Sequence, residues 1–529
     1  MDAFFFELQQ RLDRSNHPIE WIYLCLRVKG AKLFDCWTDN EPFQLKKLKV
    51  AFASRWPRVD TVEVVFNHSP QTRTINREGA KRLQAHRGRK SIVLEDETGS
   101  NTRWAATQMI VKNLSFERLV VKYSTRADRG KSPHNGTLTG HLYDTEQYLV
   151  NLESRHWAAM FRGNRVVTQA QVDCVSVLKA IKLMTHWLGR QVNEEGQCQY
   201  KYWPSRGEYS TANNAIRQWM ATICINRVAA AVRSEELAKI AQRNLAYNLA
   251  QMYREDRNLG YIWLDGSAKL GAAALAGLAI LESPDRQQYL KQEYGLRALI
   301  RNLMNPDGSF RTFYIPAERN GNQNFYSGEA LLFLAQEYVI SGHPELLGRV
   351  RRAFHYYRAW HLENPNPAFV PWHTQAYFLM WQATRDKEFA EFIFLMNDWL
   401  LDMQQWAAAP YPDMQGRFYD PERAHFGPPH ASSTGVYLEG LVDAYRLARE
   451  LGEETRCNFY GKAIRRGIRS ILQLQFMDEV DMFYIRRSSP VYGGIRTEVY
   501  DNTVRVDNVQ HCLMALLKAI RAENLLHRR

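Results

Sequence analysis

The sequence lacks the short motifs that define several large enzyme classes. In its 529 residues there is no Gly-x-Gly-x-x-Gly, no phosphate-binding Gly-x-x-x-x-Gly-Lys-Ser/Thr loop, no Gly-x-Ser-x-Gly elbow and no His-Glu-x-x-His pair. Nucleotide-driven chemistry, serine hydrolysis and zinc hydrolysis of those kinds therefore have no support.

Cysteine pairs and long apolar runs are also missing. The seven cysteines are an odd number and form no Cys-x-x-Cys pair, which argues against a disulfide framework and a structural zinc site. The longest apolar run, GAAALAGLAIL (271–281), is shorter than the roughly 18 residues of a membrane span. The N-terminus has no basic region of a secretory signal. We expect a cytoplasmic protein without a membrane span, and no cofactor or bound metal is predicted.

The chain is rich in cations and aromatic residues. Lys and Arg number 69 against 56 Asp and Glu, a net charge of +13, which favours an acidic partner. Two basic stretches, 349–358 and 462–469, fall on predicted outer helices and are typical of solvated faces. With no nucleic-acid-binding signature, nucleic acid is disfavoured, and an acidic sugar or polymer is the expected partner. Aromatic residues are 12% of the chain and either stack on sugar rings or fill gaps between helices.

A unit of about 50 to 65 residues recurs six times after residue 165. Each copy has an amphipathic helix, an aromatic stretch marked by glycine, proline or aspartate, and a second helix that opens on polar residues. The aromatic stretches are GQCQYKYWP (196–204), LGYIWLDG (259–266), DGSFRTFY (307–314), NPAFVPWH (366–373), QGRFYDP (415–421) and DMFYIRR (481–487). Six such hairpins predict a closed (α/α)6 barrel over residues 151–529.

The spacing of apolar residues predicts the two helices of each hairpin. Predicted outer helices are 169–192, 234–253, 286–304, 344–360, 387–404 and 453–474, and predicted inner helices are 211–232, 267–281, 328–340, 374–384, 432–451 and 506–522. The links from outer to inner helices are long and aromatic, so one rim of the barrel should carry the function.

Residues 1–150 differ from the rest and predict a smaller, β-rich or α+β N-terminal domain. Period-2 alternation indicates strands at 21–28, 59–68, 90–97, 105–113 and 119–124, and polar residues indicate a loop at 125–140. No chemical motif occurs here, so the domain is expected to guide substrate or to bind a partner protein.

Polar and ionisable residues gather where the inner helices begin. They are Tyr209, Asn213, Arg217, Lys269, Tyr326, Glu329, His373, His430, Glu439, Asp507 and His511. Because all inner helices begin at the same rim, these side chains should face one cavity. Buried charges must be paired or used, and helix N-termini favour anions.

Roles follow from residue type. Glu329 lies in an otherwise apolar helix and is either catalytic or paired with Arg217 or Lys269, two cations suited to a carboxylate or phosphate. His373 and His430 open adjacent inner helices, where they either form a proton-transfer pair or are structural.

Further candidates lie on the last two inner helices and in the aromatic loops. Asp507 and His511 lie one turn apart. Either Asp507 orients His511 as a general base, or the two residues form half of a metal site. Glu439 is either a structural ion pair or part of the site. Trp263 and Trp372 are stacking platforms or packing residues. Tyr326 completes the predicted catalytic set of Glu329, His373, His430 and Asp507.

The stretch DGSFRTFY…NFYSGEALLFLAQEY…GHPELL resembles a repeat of the six-hairpin toroid superfamily of carbohydrate-active enzymes, especially the C-terminal domain of D-glucuronyl C5-epimerases and related bacterial proteins. The resemblance covers roughly residues 165–525. It implies an enzyme acting on uronic-acid polymers or oligosaccharides, with Tyr, His and acidic side chains in a central cleft. Tyr326, Glu329, His373 and His430 are the matching residue types.

Three hypotheses remain open. The first is an enzyme on an anionic, uronate-containing glycan, acting by proton abstraction (epimerase or lyase) or by glycoside hydrolysis. The second is a tailoring enzyme or cyclase on a peptide or isoprenoid, which predicts a deep apolar cavity without a cationic clamp. The third is a binding or assembly protein, which predicts that every inner-helix carboxylate and histidine is paired with another.

Overall fold

The computed structural model describes residues 1–39, 42–127, 138–523 and 525–526 of the chain. An antiparallel sheet with flanking helices comes first, and a ring of helices follows. The first part contains α1 (Asp2–Asp13), β1 (Ile19–Val28), β2 (Ala31–Thr38), α2 (Pro42–Ala53), β3 (Thr61–Ile75), α3 (Arg77–Arg82), β4 (Lys90–Glu95), β5 (Asn101–Trp104), α4 (Ala106–Val111), α5 (Phe116–Ala127), β6 (Leu138–Asn151) and β7 (His156–Met160).

The sheet has seven antiparallel strands in the order β2-β1-β3-β6-β4-β5, with β7 paired to β6. Helices α1 and α2 cover part of it through a core that includes Phe4, Leu8 and Phe52. Because β7 continues the sheet to Met160, the sheet extends past the predicted domain boundary at residue 150.

Two predicted strands are helices. Residues 105–113 contain α4, and residues 119–124 lie within α5. In α5 the buried residues Phe116, Leu119, Val120 and Tyr123 follow the i, i+3, i+4, i+7 spacing of a helix, and this period outweighs the β-branched composition of the segment. Of the predicted loop 125–140, residues 128–137 lie outside the described part of the chain.

The described residues of the second part form twelve long helices. They are α6 (Cys174–Arg190), α7 (Ala215–Val232), α8 (Glu235–Met252), α9 (Leu270–Leu281), α10 (Leu290–Asn302), α11 (Gln323–Ser341), α12 (Pro344–Glu363), α13 (Phe369–Thr384), α14 (Lys387–Leu401), α15 (Ala431–Glu450), α16 (Glu454–Leu474) and α17 (Val506–Arg521). The odd-numbered helices from α7 to α17 contact one another in sequence, and α17 contacts α7, so they close an inner ring. The even-numbered helices pack around it. The predicted mostly helical toroid is confirmed.

Burial explains which helices are inside. Every residue of α9 is buried, because an inner helix packs on both neighbours and on the outer layer. Small residues permit close approach: a Cβ on Gly435 of α15 would come 2.7 Å from the backbone nitrogen of Cys512 in α17.

The long links at the rim form short strands. They are β8 (Lys201–Trp203), β9 (Glu208–Tyr209), β10 (Tyr253–Asp256), β11 (Leu259–Leu264), β12 (Ser267–Lys269), β13 (Phe313–Ile315), β14 (Arg496–Glu498) and β15 (Asp501–Arg505). Strands β10 to β13 join the second and third hairpins in one sheet, and β14, β15, β8 and β9 join the sixth hairpin to the first.

The N-terminal sheet packs on the rim loops of the fifth and sixth hairpins. The guanidinium of Arg162 forms a buried ion pair with Asp413, with Nε 2.7 Å from Oδ2. The side chain of Asn113 donates to Asp501 Oδ1 at 2.9 Å. The backbone at Gly30 lies against Ile485 so closely that a Cβ would overlap it. The sheet therefore borders the end of the barrel where the inner helices begin.

Candidate functional site

A charged cluster lies at the rim where the inner helices begin, around Arg217 in the first turn of α7. Asn214 caps this helix by accepting a hydrogen bond from the Arg217 backbone nitrogen at 3.2 Å. The Arg217 side chain is 27% exposed, and its charge opposes the effect of burial, which raises the pKa values of Glu329, Tyr326 and Asp507. Arg217 thus links groups from three inner helices: α7, α11 and α17.

Asp507 is buried in the first turn of α17 between two arginines. Its carboxylate lies 3.2 Å from Arg217 Nε and accepts a hydrogen bond from Arg505 Nε at 2.9 Å, with a second, closer contact to Arg505 Nη2. Burial alone would raise the pKa of Asp507, but Arg217 and Arg505 lower it to about 2. Asp507 is therefore ionised at neutral pH and holds both guanidinium groups in place.

Glu329 has the opposite environment, in the second turn of α11. It is 2% exposed, and its Oε2 has no hydrogen-bond partner among the described residues. Burial raises the pKa of Glu329 to about 8, against a smaller lowering effect of Arg217. The carboxyl lies against Gly271 of α9, where a Cβ would overlap Oε2. Glu329 is thus a protonated acid at neutral pH, and its buried Oε2 has no hydrogen-bond partner among the described residues.

Tyr326 lies one turn before Glu329 on the same helix. Burial and the nearby Glu329 raise its pKa to about 12, so the phenol is neutral and able to donate a hydrogen bond. Arg319 acts on both Tyr326 and Lys269, the N-cap residue of α9. Burial and Arg319 lower the pKa of Lys269. The two cations border the cluster on the side of the second and third hairpins.

His430 is the N-cap residue of α15. Its Nδ1 accepts a hydrogen bond from the Ser433 backbone nitrogen at 3.2 Å, so the neutral ring carries its proton on Nε2. Burial, followed by the charge of Arg505, lowers the pKa of His430 to about 4. His430 is therefore neutral at the rim, where it can donate a hydrogen bond from Nε2.

A second acid and histidine pair lies deeper along the barrel axis. Nδ1 of His511 in α17 is 2.8 Å from Oε1 of Glu439 in α15, and both side chains are buried. The ring of Trp372 from α13 contacts His511 edge-on, with centroids 6.1 Å apart. These three predicted residues come together below the rim cluster.

His373 does not join His430. Its ring stacks on Phe369, Nδ1 lies 2.9 Å from the Phe369 carbonyl oxygen, and Nε2 lies 3.5 Å from Ser327 Oγ. It also contacts Tyr357 of the outer helix α12. Burial lowers the pKa of His373 to about 3. The contacts place His373 between the inner and outer layers, so the predicted pair of histidines is not brought together.

Three further candidates lie at the periphery of the cluster. Tyr209 is 41% exposed on β9 and packs on Tyr202. Oδ1 of Asn213 accepts a hydrogen bond from Gln218 Nε2 at 2.8 Å within the turn before α7. Trp263 is half-buried on β11, where it pairs with Ala268.

Sequence analysis missed Arg505, Arg319 and Gly271. Arg505 stands two residues before Asp507 at the end of β15, and this spacing was a readable signal for a local ion pair. Arg319 lies in a loop, and no periodic pattern distinguishes it. Gly271 has a role only because α9 and α11 pack side by side, which the sequence of one helix does not show.

The cluster combines a proton-exchanging acid with cations and neutral hydrogen-bond donors. The protonated Glu329 can donate a proton or, once ionised, accept one near neutral pH. Arg217 and Lys269 carry charge suited to an anionic group. Within the described ranges, no group of three or more His, Cys, Asp or Glu side chains is arranged to hold a metal ion. The helices described there include none long and apolar enough to cross a membrane.

Neither the search of protein-family models nor that of curated protein sequences gives a match. Among solved structures, the fold is similar to that of a D-mannose isomerase, with a TM-score of 0.50 and 10% identity over 66% of this chain and 98% of that one. A sugar epimerase from a ruminal bacterium has a TM-score of 0.48 at 12% identity, over 65% and 98% of the two chains. An unsaturated glucuronyl hydrolase from Streptococcus agalactiae has a TM-score of 0.46 at 13% identity, over 69% and 96%.

The likeness to the isomerase concerns the fold, and it agrees with the toroid that the sequence resemblance predicts. The finer resemblance to the C-terminal domain of D-glucuronyl C5-epimerases stays a prediction.

Proposed function

We propose that the protein is an enzyme that acts on a carbohydrate carrying an acidic group, such as a uronate, at the rim cluster. The observation that carries the proposal is Glu329, a buried acid with a pKa raised to about 8 and an oxygen without a partner. Fold alone does not assign an activity, so the proposal depends on this geometry.

The proposed reaction is proton transfer at a carbon or oxygen of the sugar. Arg217 is partly exposed, and its charge acts on Glu329, so it would hold the substrate carboxylate and stabilise negative charge that develops next to it. Glu329 would exchange the proton, and Tyr326 and His430 would donate hydrogen bonds to sugar hydroxyls. Asp507 would position Arg217 through their ion pair.

The other two hypotheses fit the rim less well. A cyclase chamber without a cationic clamp disagrees with Arg217, Lys269 and Arg505 at the cluster. A pure binding protein would pair every inner-helix acid, as in Glu439 with His511, whereas one oxygen of Glu329 lacks a partner among the described residues. Both stay as outcomes of the substrate test.

The test is a turnover screen with unsaturated and saturated uronate oligosaccharides, their neutral counterparts, prenyl diphosphates and acidic peptides. Wild type is compared with Glu329→Gln and with Glu345→Gln, an equivalent change at an exposed acid on α12. We expect turnover of a uronate substrate that falls by about 10² to 10³-fold in Glu329→Gln and stays unchanged in Glu345→Gln. Turnover confined to diphosphates or peptides, or equal activity in both variants, would overturn the proposal.

The pH dependence of this turnover separates the two reaction types. If Glu329 acts as an acid, as in hydrolysis, kcat should fall as the pH rises through about 8, because the proton is lost. If it acts as a base, as in epimerisation or elimination, kcat should rise over the same range. This change of kcat near pH 8 should be absent from any residual activity of Glu329→Gln.

A further inference from the structure

A cavity opens at the end of the barrel opposite the rim cluster, where the inner helices end. It has a volume of about 560 Å³, and residues in or directly after all six inner helices contribute to its wall. Each hairpin contributes at least one polar or charged side chain to the wall, among them Arg227, Glu282, Gln336, Gln382, Asp443 and Lys518. We call this space the C-terminal cavity. It has the size of a small-molecule site and lies a helix length from the rim cluster.

Two cations of the wall are already neutralised. Arg227 forms a bidentate ion pair with Glu282, at 2.8 Å from Nε to Oε2 and 2.7 Å from Nη2 to Oε1. The ammonium of Lys518 contacts Asp443 Oδ2 at 2.5 Å, Gln375 Oε1 at 2.9 Å and the Glu439 carbonyl oxygen at 3.2 Å. These contacts use the three protons of Lys518, so these groups shape the wall and leave no free charge.

Two more arginines lie at the mouth of the cavity, so the wall has more cations than carboxylates. The wall has four cations, Arg227, Arg446, Lys518 and Arg521, and two carboxylates, Glu282 and Asp443, a surplus of two positive charges. Arg446 approaches Asp443 only at 3.5 Å, from Nη1 to Oδ1, and its guanidinium lies over the Phe378 ring. Arg521 has no ion-pair partner in the described part of the chain.

The direction of the helices makes this surplus of positive charge more significant. Six helix C-termini point toward the cavity and bring partial negative charge there. An anion can bind at such an end only where fixed cations exceed that charge, and guanidinium groups supply the fork geometry that phosphate and carboxylate oxygens accept. Arg446 and Arg521 meet both conditions.

The rest of the wall fits a hydroxyl-rich molecule. The amides of Gln336 and Gln382 offer both donors and acceptors, and Leu332, Phe378 and Met514 give an apolar floor. We propose that the C-terminal cavity binds a small polyhydroxylated anion, a sugar phosphate or sugar acid, with its charged group between Arg446 and Arg521. This site is separate from the rim cluster and does not depend on the proposed reaction.

The experiment is isothermal titration of the full chain with glucose 6-phosphate, glucuronate, inorganic phosphate and neutral glucose. A double variant, Arg446→Gln with Arg521→Gln, removes the two guanidinium groups that are proposed to hold the anion. Its matched control, Arg243→Gln with Arg352→Gln, removes the same charge from exposed positions on the outer helices α8 and α12. Glu329→Gln is titrated as well, to separate this site from the rim.

We expect one of the two sugar anions to bind at least tenfold more tightly than glucose. The Arg446 and Arg521 variant should weaken that binding by tenfold or more, whereas the control and Glu329→Gln should leave it unchanged. Which anion binds identifies the charged group. An equal loss of affinity in both double variants, or a loss of affinity in Glu329→Gln, would overturn the proposal. The absence of any binding would overturn it as well, because the arginines would then only offset the partial negative charge of the helix C-termini.

A second measurement does not depend on the folding of the double variant. Met514 lines the cavity, and the resonance of its methyl group in methyl-labelled protein can be assigned with Met514→Leu. Titration with the sugar anion should shift this resonance, with saturation at the calorimetric midpoint. An unchanged Met514 resonance at saturating ligand would contradict the proposed location.

Discussion

The two ends of the barrel use the same six inner helices in opposite ways. Where the helices end, the carboxylates of Glu282 and Asp443 are each paired with a cation. Where they begin, Glu329 is buried with an unpartnered oxygen and keeps its proton instead. Buried ion pairs hold a structure in place, whereas an acid left without a partner reduces stability and is available for chemistry. The contrast supports the proposal that the reaction takes place where the helices begin.

The strongest test of this contrast is the same amide substitution at both ends. Glu329→Gln should stabilise the protein by about 3 kcal/mol at pH 7, because the folded state keeps a proton that the unfolded state, with a pKa near 4.5, has lost. Asp443→Asn should destabilise it by roughly 2 kcal/mol, because Lys518 loses its counter-ion. Urea unfolding at pH 7 measures both.

The gain in Glu329→Gln should also depend on pH. Between pH 4.5 and 8 the unfolded chain releases the proton and the folded chain retains it, so wild-type stability falls as the pH rises and the difference disappears near pH 4. A gain that is constant with pH would show that ionisation of Glu329 is not its cause.

A second test concerns the acid sensitivity of the rim. His430 has a folded pKa of about 4 against about 6.5 unfolded. Below pH 6.5 the unfolded state therefore binds a proton that the folded state does not bind, and the free energy of unfolding falls as the pH falls. His430→Asn keeps an N-cap side chain and should reduce the loss of stability between pH 6.5 and 5 by about 2 kcal/mol.

The control for that test is His156→Asn, at an exposed position on β7. Thermal unfolding at a series of pH values compares the two variants with wild type. If both variants keep the wild-type pH profile, the buried neutral imidazole at position 430 is not a source of acid sensitivity.

The smallest expected change in stability comes from a single methyl group. Gly271→Ala should cost roughly 1 to 2 kcal/mol and lower turnover by about tenfold, because the new Cβ overlaps the Glu329 carboxyl and displaces it. Gly348→Ala, in the outer helix α12, meets only the flexible end of Arg352 at 3.8 Å and should stabilise the helix slightly. Unfolding free energy and kcat are measured for both, and a Gly271→Ala enzyme with normal kcat would contradict the placement of Glu329.

The sequence predicts the helical part well because hydrophobic period and burial agree there. The fully apolar 271–281 segment is an inner helix, and both ends of α17 lie within one residue of the predicted 506–522. The predicted strands at α4 and α5 are wrong because β-branched residues occur there at helical spacing, so composition and period disagree.

The sequence predicts the site only where the type of a residue differs from that of its neighbours in the sequence. Glu329 is an acid inside an apolar helix, and its unusual environment can be inferred from that alone. The stacking of His373 on Phe369, or the role of Gly271 beside Glu329, arises from packing between helices and has no signature within one segment. The C-terminal cavity was missed because its polar residues lie in the last turns of the helices, where charge is ordinary.

The closure of the ring has a consequence for how the protein is made. Arg217 belongs to the first hairpin and Asp507 to the sixth, and β15 pairs with β8 at the same seam. Chains emerge from the ribosome N-terminus first, so five hairpins exist before the partner of Arg217 has been synthesised. The nascent chain is thus an open arc with an incomplete site. The proposed activity therefore requires that the sixth hairpin has docked on the first.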